Sequence, residues 1–261
     1  MKMCVIICAA GSSSRFGGRD KLGEDLGGRP VLHRTVDLFT KRDDVDQVIV
    51  AGPHDEAAFG EFRLRHGDKL ALMGVSICRG GKTHRYETVQ AALEHVTDDA
   101  THIAVHDGAR PCASVEMLDR LFKAAQSHDA VIPGVEIHDT IKRVSKSAKV
   151  EREIDPLDAI LGDAGKANTS VRTVEATVDR SNMMAIQTPQ VFEAGLLRRA
   201  YRQSDLTSTD DASLIERMGE PVVVVEGDPR NIKITRPADL HTARLILSLS
   251  GPKEREAHKR F

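Results

Sequence analysis

The stretch "CAAGSSSRFGGRDKL", residues 8–22, lies between a short apolar run and an amphipathic run. It combines glycine and serine, which suit a turn, with the cations Arg15 and Lys21. Gly11 lets the backbone approach a ligand closely, and successive N–H groups of such a turn can face an anion. Between a strand and a helix, this loop suits a polyphosphate. The alternative is a plain connector.

Short apolar runs and amphipathic stretches alternate along most of the chain around this loop. Strands are predicted over 3–9, 46–51, 74–78, 102–106, 129–135, 183–187 and 221–226. Helices are predicted over 30–41, 55–66, 84–96, 114–126, 193–203, 210–218 and 236–249. Continuous apolar strands separated by helices indicate an α/β protein with a mostly parallel twisted sheet and helices on both faces.

The composition excludes several classes of protein. The chain has 261 residues and a formal net charge of -2, so no global basic field draws it to nucleic acid. No apolar run approaches the roughly 18 residues of a membrane span, and we expect no membrane partner. The four cysteines lie in apolar or strand-like stretches without metal-ligand spacing, which predicts buried thiols in a reducing cytoplasm.

Two common phosphate-binding templates do not fit. A dinucleotide-binding loop needs G-x-G-x-x-G, and Ser13 stands where its second glycine belongs, which disfavours an NAD-dependent oxidoreductase. A Walker loop needs G-x-x-x-x-G-K-[ST]. The stretch "GGKT" (80–83) supplies the end of that pattern, but Ser76 stands at its first glycine.

Further polar motifs lie at the edges of predicted elements. In "VHDGARP" (105–111), Asp107 ends a strand, where a carboxylate can hold a Mg²⁺ that binds phosphate oxygens. The alternative is a turn or helix cap. The other motifs are "GGKTHRYETV" (80–89), "HDTIKR" (138–143), "TVDR" (177–180), "QTPQVF" (187–192), "TDDAS" (209–213) and "NIKITRP" (231–237). Each of them alone is a solvated turn by default.

Together and in this order, the motifs resemble the 2-C-methyl-D-erythritol 4-phosphate cytidylyltransferases of the non-mevalonate isoprenoid pathway, over nearly the whole chain. "HDGARP", "QTPQ" and "NIKITRP" carry most of the specificity, whereas "AAG" is shared by many sugar-nucleotide enzymes. The resemblance implies a Rossmann-like nucleotidyltransferase fold and a homodimer with a protruding arm that crosses between subunits. It also implies an enzyme that uses Mg²⁺ to transfer the cytidylyl group of CTP to methylerythritol phosphate, with release of pyrophosphate.

The same resemblance implies roles for individual residues. The catalytic cations are expected to be Arg15 and Lys21 on the triphosphate and Lys233 on the α-phosphate. Asp107 is expected to hold Mg²⁺. The nucleotide-binding residues are expected to be Ala10, Gly11, Gly81, Thr88, Asp107 and Gly108. The methylerythritol phosphate contacts are expected to be Arg110, Thr209 and Thr235, together with the partner subunit's Thr140 and the partner subunit's Arg180.

The sequence departs from the family pattern at four places. "RDKL" (19–22) stands where a "PKQ"-like sequence is typical, with a slightly short spacing from Arg15. Thr88 replaces a serine and keeps the hydroxyl, and Gly108 replaces an alanine. The arm between "DTIKR" and "TVDR" is longer than usual.

These departures leave two alternatives open. One is a cytidylyltransferase for another polyol phosphate, such as ribitol 5-phosphate. The other is a catalytically inactive nucleotide-binding paralogue, for which "RDKL" is the warning sign. The presence of Lys21, Asp107 and Lys233 together argues against loss of activity.

The predicted organisation is one nucleotidyltransferase domain over 1–250, with an arm insertion over about 139–180, and a charged tail over 251–261. Residues 144–177 are polar and show no strong core period. They are expected to form either a mobile surface loop or an arm that reaches another subunit.

Overall fold

The computed structural model describes residues 1–11, 16–18, 20–146, 148–149 and 170–249. Its strands are β1 (Met3–Cys8), β2 (Gln47–Gly52), β3 (Ser76–Arg79), β4 (His102–Asp107), β5 (Ala130–Glu136), β6 (Ile141–Val144), β7 (Ala148–Lys149), β8 (Ser170–Val171), β9 (Val174–Val178), β10 (Met184–Ile186), β11 (Gln190–Glu193) and β12 (Val223–Glu226). Its helices are α1 (Val31–Thr40), α2 (Glu56–Leu72), α3 (Arg85–Leu93), α4 (Val115–Ala125), α5 (Ala194–Ala200), α6 (Ala212–Arg217) and α7 (Pro237–Ile246). Every predicted strand and helix overlaps an observed element of its kind.

The chain forms two compact units, and the first holds the main sheet. This unit comprises Met1–Val135 and the described residues from Ile186 onward. Its strand order is β5-β11-β4-β1-β2-β3, and β12 also pairs with β5. β1 runs parallel to β2 and β4, β2 to β3, and β5 to β12, whereas β11 is antiparallel to both β4 and β5. The prediction of a mostly parallel sheet is confirmed.

Helices cover both faces of this sheet. Val5 and Ile7 of β1 lie in one apolar cluster, with residues of α1, α4 and α7. Cys4 and Ile6, which point to the opposite face, lie in a second cluster with residues of α3, α5 and α6. A strand that is buried on both sides needs apolar residues at every position, which explains the continuous apolar run in the sequence.

The strand β11 was not predicted. It follows Pro189 directly, and only its two central residues, Val191 and Phe192, are apolar. Such a short apolar pair carries no period of its own, and the sequence pattern instead predicts a helix from residue 193. Its pairing partners, Ala104 opposite Val191 and Ile103 opposite Phe192, lie far away in the chain.

The second unit, Glu136–Ala185, consists of antiparallel ribbon in its described part. β6 pairs with β9, and β7 pairs with β8. Strands thus occur at both described ends of the stretch 144–177, for which the sequence predicted either a mobile surface loop or an arm. The core period is absent because the ribbon is exposed, with Val174 at 55% exposure. Residues 150–169 and the predicted tail 251–261 lie outside the described residues.

All four cysteines are free thiols, half-buried at Cys8 and buried at the other three positions. No helix within the described ranges is long and apolar enough to cross a membrane.

Candidate active site

A cavity of about 430 Å³ opens in the first unit, where β1 and β4 end. Its size is that of a small-molecule site, and the carboxyl ends of strands are where open α/β sheets bind ligands. The residues predicted from the sequence that line it are Ala10, Gly11, Lys21, Gly81, Thr88, Asp107, Gly108 and Lys233. Four segments that are distant in the sequence thus bring their predicted residues together.

One wall of the cavity is the glycine turn before α3. The Gly81 N–H donates to the Thr88 hydroxyl at 3.1 Å, and the Glu87 carboxylate accepts the N–H groups of Thr83 and His84 at 2.7 and 3.0 Å. A Cβ on Gly81 would lie 2.1 Å from the Glu87 Cβ. No side chain fits there, so the wall is backbone by necessity.

The floor is the end of β4. The Asp107 N–H donates to the Thr188 hydroxyl at 3.0 Å, and the Gly108 N–H donates to the Cys8 carbonyl at 3.0 Å. A Cβ on Gly108 would lie 3.0 Å from that carbonyl oxygen, so an alanine fits only after a shift of a few tenths of an ångström. These bonds hold the Asp107 carboxyl at the cavity, with its side chain 9% exposed.

Three cations surround the Asp107 carboxylate. Lys233 Nζ lies 2.9 Å from Oδ2, Arg110 Nε lies 3.3 Å from Oδ2, and Arg85 Nε lies 3.3 Å from Oδ1. Burial alone would raise the pKa of Asp107, but Arg85, Lys233 and Arg110 together hold it well below its usual range. The carboxylate is therefore ionised at neutral pH, and the cluster keeps an excess of positive charge that suits a polyanion.

Arg85 is the functional side chain that the sequence analysis missed. Its Nη1 donates to Asp211 Oδ2 at 2.7 Å, and Tyr201 donates its hydroxyl proton to Asp211 Oδ1 at 2.6 Å. Asp211 is fully buried, so it fixes the guanidinium against Asp107. Arg85 lies within the quoted "GGKTHRYETV", and the available signal was an arginine opening a helix behind a glycine turn. Its pairing with a residue of "TDDAS" was not visible in the sequence.

The remaining predicted residues do not line the cavity, although Arg110 contacts Asp107. Arg110 Nη1 donates to the Asn231 carbonyl at 2.8 Å, and the Thr235 hydroxyl donates to Asp239 Oδ2 at 2.9 Å. Thr209 lines a separate surface depression of about 550 Å³. Thr140 and Arg180 belong to the second unit, and Arg15 lies outside the described residues. Their roles stay predictions.

The chemistry available in the cavity is charge neutralisation. Burial raises the pKa of the Cys8 thiol to about 12, so this lining residue is a protonated thiol and not a nucleophile. Within the described residues, no group of three or more His, Cys, Asp or Glu side chains could hold a metal ion. A Mg²⁺ that takes one protein carboxylate and completes its shell with substrate phosphates and water needs no such group. Asp107 is a fitting ligand of that kind.

A larger cavity of about 640 Å³ lies between α1 and α4. None of the residues predicted from the sequence lines it. It carries acidic and basic side chains of α1 and the following loop in mixed order, so it offers no single-sign field for a phosphate.

Comparisons with known proteins agree on one family. A family model for 2-C-methyl-D-erythritol 4-phosphate cytidylyltransferase matches residues 3–159 and 156–249. The enzyme of that name from Symbiobacterium thermophilum is 38% identical over 247 residues, covering 93% of this chain and 92% of the relative. The one from Geobacillus kaustophilus is 34% identical over 248 residues, covering 93% and 96%.

Solved structures agree with these relatives. The crystal structure of the enzyme of the same name from Thermus thermophilus aligns with a TM-score of 0.66 and 29% identity, covering 95% of this chain and 100% of that one. A structure described as 4-diphosphocytidyl-2C-methyl-D-erythritol synthase aligns with a TM-score of 0.69 and 29% identity, covering 94% and 98%. The resemblance inferred from the motifs is confirmed, as is the nucleotidyltransferase fold.

Proposed function

The chain belongs to the 2-C-methyl-D-erythritol 4-phosphate cytidylyltransferase family, and on that premise we propose that it transfers the cytidylyl group of CTP to 2-C-methyl-D-erythritol 4-phosphate. The products are CDP-methylerythritol and pyrophosphate. The observation that supports this function best is the cavity in which Lys21, Lys233 and Asp107 meet at the ends of β1 and β4. It offers both a cationic environment for a triphosphate and one carboxylate for a divalent metal.

The reaction needs no general base, because a phosphate monoester oxygen is already anionic near neutral pH. The protein must instead bring two polyanions together and neutralise the charge that develops at the α-phosphate during an in-line displacement. Lys21 would bind the triphosphate, as would Arg15. Lys233 would exchange the Asp107 carboxylate for an α-phosphate oxygen.

The rest of the proposed site follows the same division of roles. Asp107 would hold Mg²⁺, which when bound neutralises charge on the triphosphate oxygens. The backbone of Ala10, Gly11, Gly81 and Gly108 and the Thr88 hydroxyl would contact the nucleotide. Arg85, fixed by Asp211, would keep the carboxylate oriented. Arg110, Thr209 and Thr235 would contact the methylerythritol phosphate.

The test of the substrate is a direct competition. Purified protein is given CTP and Mg²⁺ with either methylerythritol phosphate or ribitol 5-phosphate, and pyrophosphate release and the diphosphate product are measured. We expect kcat/KM to be roughly tenfold or more higher for methylerythritol phosphate, because a polar site rejects analogues that leave its groups unpaired. Faster turnover of ribitol 5-phosphate would correct the substrate and keep the reaction class. Binding of CTP without any turnover would favour the inactive paralogue.

We also propose a homodimer in which the second unit is the arm that completes the partner's site. The support is the exposed ribbon, where Val174 is 55% and Met183 41% exposed, since such residues gain from docking on another chain. Thr140 and Arg180 would then contact substrate in the other subunit. The expected cytoplasmic location stays a prediction from the sequence.

Two inactive variants, Lys21→Ala and Arg180→Ala, test this arrangement after they are unfolded and refolded together. A mixed dimer would hold one site with an intact Lys21 loop and an intact arm, so activity should return. Mixed dimers that are verified by mass and stay inactive would place Arg180 outside the partner's site.

A further inference from the structure

The loop that carries Lys21 is anchored by its neighbour Asp20. Asp20 Oδ1 accepts the Leu22 N–H at 3.0 Å, and Oδ2 accepts a hydrogen bond from Arg65 of α2. The Asp20 carbonyl accepts the Gly23 N–H at 3.2 Å. A Cβ on Gly23 would lie 2.7 Å from Asp20 Oδ2, so a side chain at that position would displace the carboxylate.

The other neighbour of Lys21 is fixed as well. Leu22 is buried in the core, and its carbonyl accepts the N–H of Leu32 in the first turn of α1 at 3.0 Å. Lys21 therefore begins from a backbone position that is held on both sides, and from there it lines the cavity. On the Leu22 side of Lys21, core packing fixes the backbone. On the Asp20 side, the contact that fixes the loop to another element is one ion pair to α2.

A pair of buried histidines lies behind Asp20. His66 Nδ1 is 3.1 Å from His33 Nε2, and His66 Nε2 is 3.9 Å from Asp20 Oδ2. That second distance exceeds a hydrogen bond, and the buried Nε2 has no partner within hydrogen-bond distance in the described part of the chain. An approach of Asp20 by about 1 Å would give it one. The ring thus lies nearest the same carboxylate oxygen that Arg65 binds.

The protonation of these groups fits this arrangement. Partial burial raises the pKa of Asp20, but the nearby His66 ring, the hydrogen bond from Arg65 and those from the backbone lower it to about 2. Asp20 is then an ionised carboxylate, which only accepts hydrogen bonds. The tautomer of His66 with its proton on Nε2 would direct an N–H towards Asp20 and let Nδ1 accept from His33.

We infer that Asp20 is a positioning residue for Lys21, and that Arg65 of α2 anchors the loop for a nucleoside triphosphate. This inference rests on the proposed function, in which Lys21 binds the triphosphate. Without the anchor, the lysine still reaches a phosphate but has to be ordered when the ligand binds. We expect that cost to weaken triphosphate binding roughly three- to tenfold.

The experiment measures CTP affinity by calorimetry, without the second substrate, in two backgrounds. Asp20→Asn keeps the size of the side chain and the acceptor for Leu22, and Arg65→Gln breaks the same pair from the helix side. Both are expected to weaken CTP binding by the stated factor in the otherwise native chain. In the Lys21→Ala background both are expected to change it less than about twofold, because the group that they position is gone.

Matched variants separate positioning from support of the fold. Arg63→Gln removes the same charge from an exposed position of α2, two residues from Arg65, and is expected to leave CTP affinity unchanged. Arg65→Lys keeps the charge and is expected to recover part of the loss. Thermal unfolding of each variant is measured alongside, and we expect shifts that do not follow the loss of affinity.

The outcomes are distinct. Equal losses of affinity with and without Lys21 would overturn the inference, since Asp20 would then act on the fold. If Lys21→Ala weakens CTP binding but Asp20→Asn and Arg65→Gln do not, the inference is wrong while the proposed function stands. If Lys21→Ala itself leaves CTP affinity unchanged, the role of Lys21 in the proposed function fails first and the inference fails with it.

Discussion

Two aspartates, Asp107 in this cavity and Asp20 beside Lys21, pair with cations in opposite ways. Asp107 is buried, faces the cavity, and binds cations from α3, from its own loop and from the segment that carries Lys233. Asp20 lies on the rim with its side chain 38% exposed, and its arginine partner lies on the outer helix α2. In the proposed function, Asp107 would compete with a triphosphate for its cations, whereas Asp20 would position the neighbouring Lys21 through the backbone. An acidic residue beside a phosphate site either binds the cations of the site directly or positions a neighbouring cation, depending on where its own partners lie.

The largest effect is expected at Lys233, which has to leave Asp107 to act. Lys233→Ala should lower kcat by a factor that corresponds to roughly 3–4 kcal/mol, as for the removal of a donor to a developing charge. CTP affinity should fall much less, since the other cations remain. Steady-state kinetics and CTP calorimetry measure the two quantities, and Lys69→Ala on the surface of α2 is the matched control. A kcat near that of the native protein would remove Lys233 from the catalytic residues.

The region of Asp107 and the region of Asp20 each contain a buried histidine that is neutral in the folded protein. We therefore expect both regions to respond to acid in the same way. Burial lowers the pKa of His106, next to Asp107, to about 4, and burial with repulsion from His66 lowers that of His33 to about 4. Between about pH 6.5 and 4 the unfolded chain binds these protons and the folded chain does not. The stability that is present above pH 6.5 is therefore lost as the pH falls to 4, by up to about 3 kcal/mol for each histidine.

Urea unfolding between pH 7.5 and 4.5 measures this loss. His33→Gln should flatten the pH dependence without abolishing it, because His106 still contributes. An unchanged slope in that variant would mean that His33 is protonated in the folded protein, and the two regions would then differ in their response to acid.

The next largest effect is a difference in the free energy of unfolding between variants of the two aspartates. Asp107→Asn leaves Arg85, Arg110 and Lys233 together with one carboxylate fewer, and should destabilise the protein by about 1–3 kcal/mol. Asp20→Asn breaks an exposed pair and should cost about 1 kcal/mol or less. Metal-free CTP should restore more stability to Asp107→Asn than to the native chain, as its phosphates replace the lost charge. Thermal unfolding with and without CTP tests this, and equal shifts in both proteins would contradict it.

The smallest effect is expected at Thr88, away from both aspartates. Thr88→Ser keeps the hydroxyl that accepts the Gly81 N–H and removes one methyl group, worth about 0.8 kcal/mol of burial. Turnover should stay within about twofold, because the glycine turn keeps its hydrogen bond. Thr88→Val, which keeps the volume and loses the acceptor, is the contrasting variant and should lower CTP affinity. Equal behaviour of the two variants would leave the hydroxyl without a role.

Sequence reasoning reached the features that are local in the chain. The continuous apolar run of β1 predicted a strand buried on both faces, and the motifs singled out Asp107 and Lys233, which line the cavity and whose roles stay predictions. It failed where a role depends on a distant partner. Arg85 is defined by Asp211, 126 positions away, and no local pattern encodes that pair.

The "RDKL" loop is a second case in which the role of a residue depends on a partner far away in the sequence. Its aspartate reads in the sequence as a departure from the family pattern and a warning of lost activity. Its partner Arg65 is 45 positions away, on the exposed side of a helix, where an arginine carries no signal of its own. The short strand β11 was missed for a related reason, because its place between β4 and β5 is set by its neighbours.

The position of β11 also constrains how the protein is made. β5 does not pair with β4 in the first unit; β11 lies between them, and β12 also pairs with β5. Both β11 and β12 follow the second unit in the sequence. When residues 1–135 have left the ribosome, β5 therefore exists but these two partner strands have not yet been translated. The hydrogen-bonding edges of β5 and the apolar residues Val131 and Ile132 are not all covered until translation passes residue 226. Chaperone demand during synthesis should therefore peak while the second unit is being translated, and end when β11 and then β12 have paired with β5.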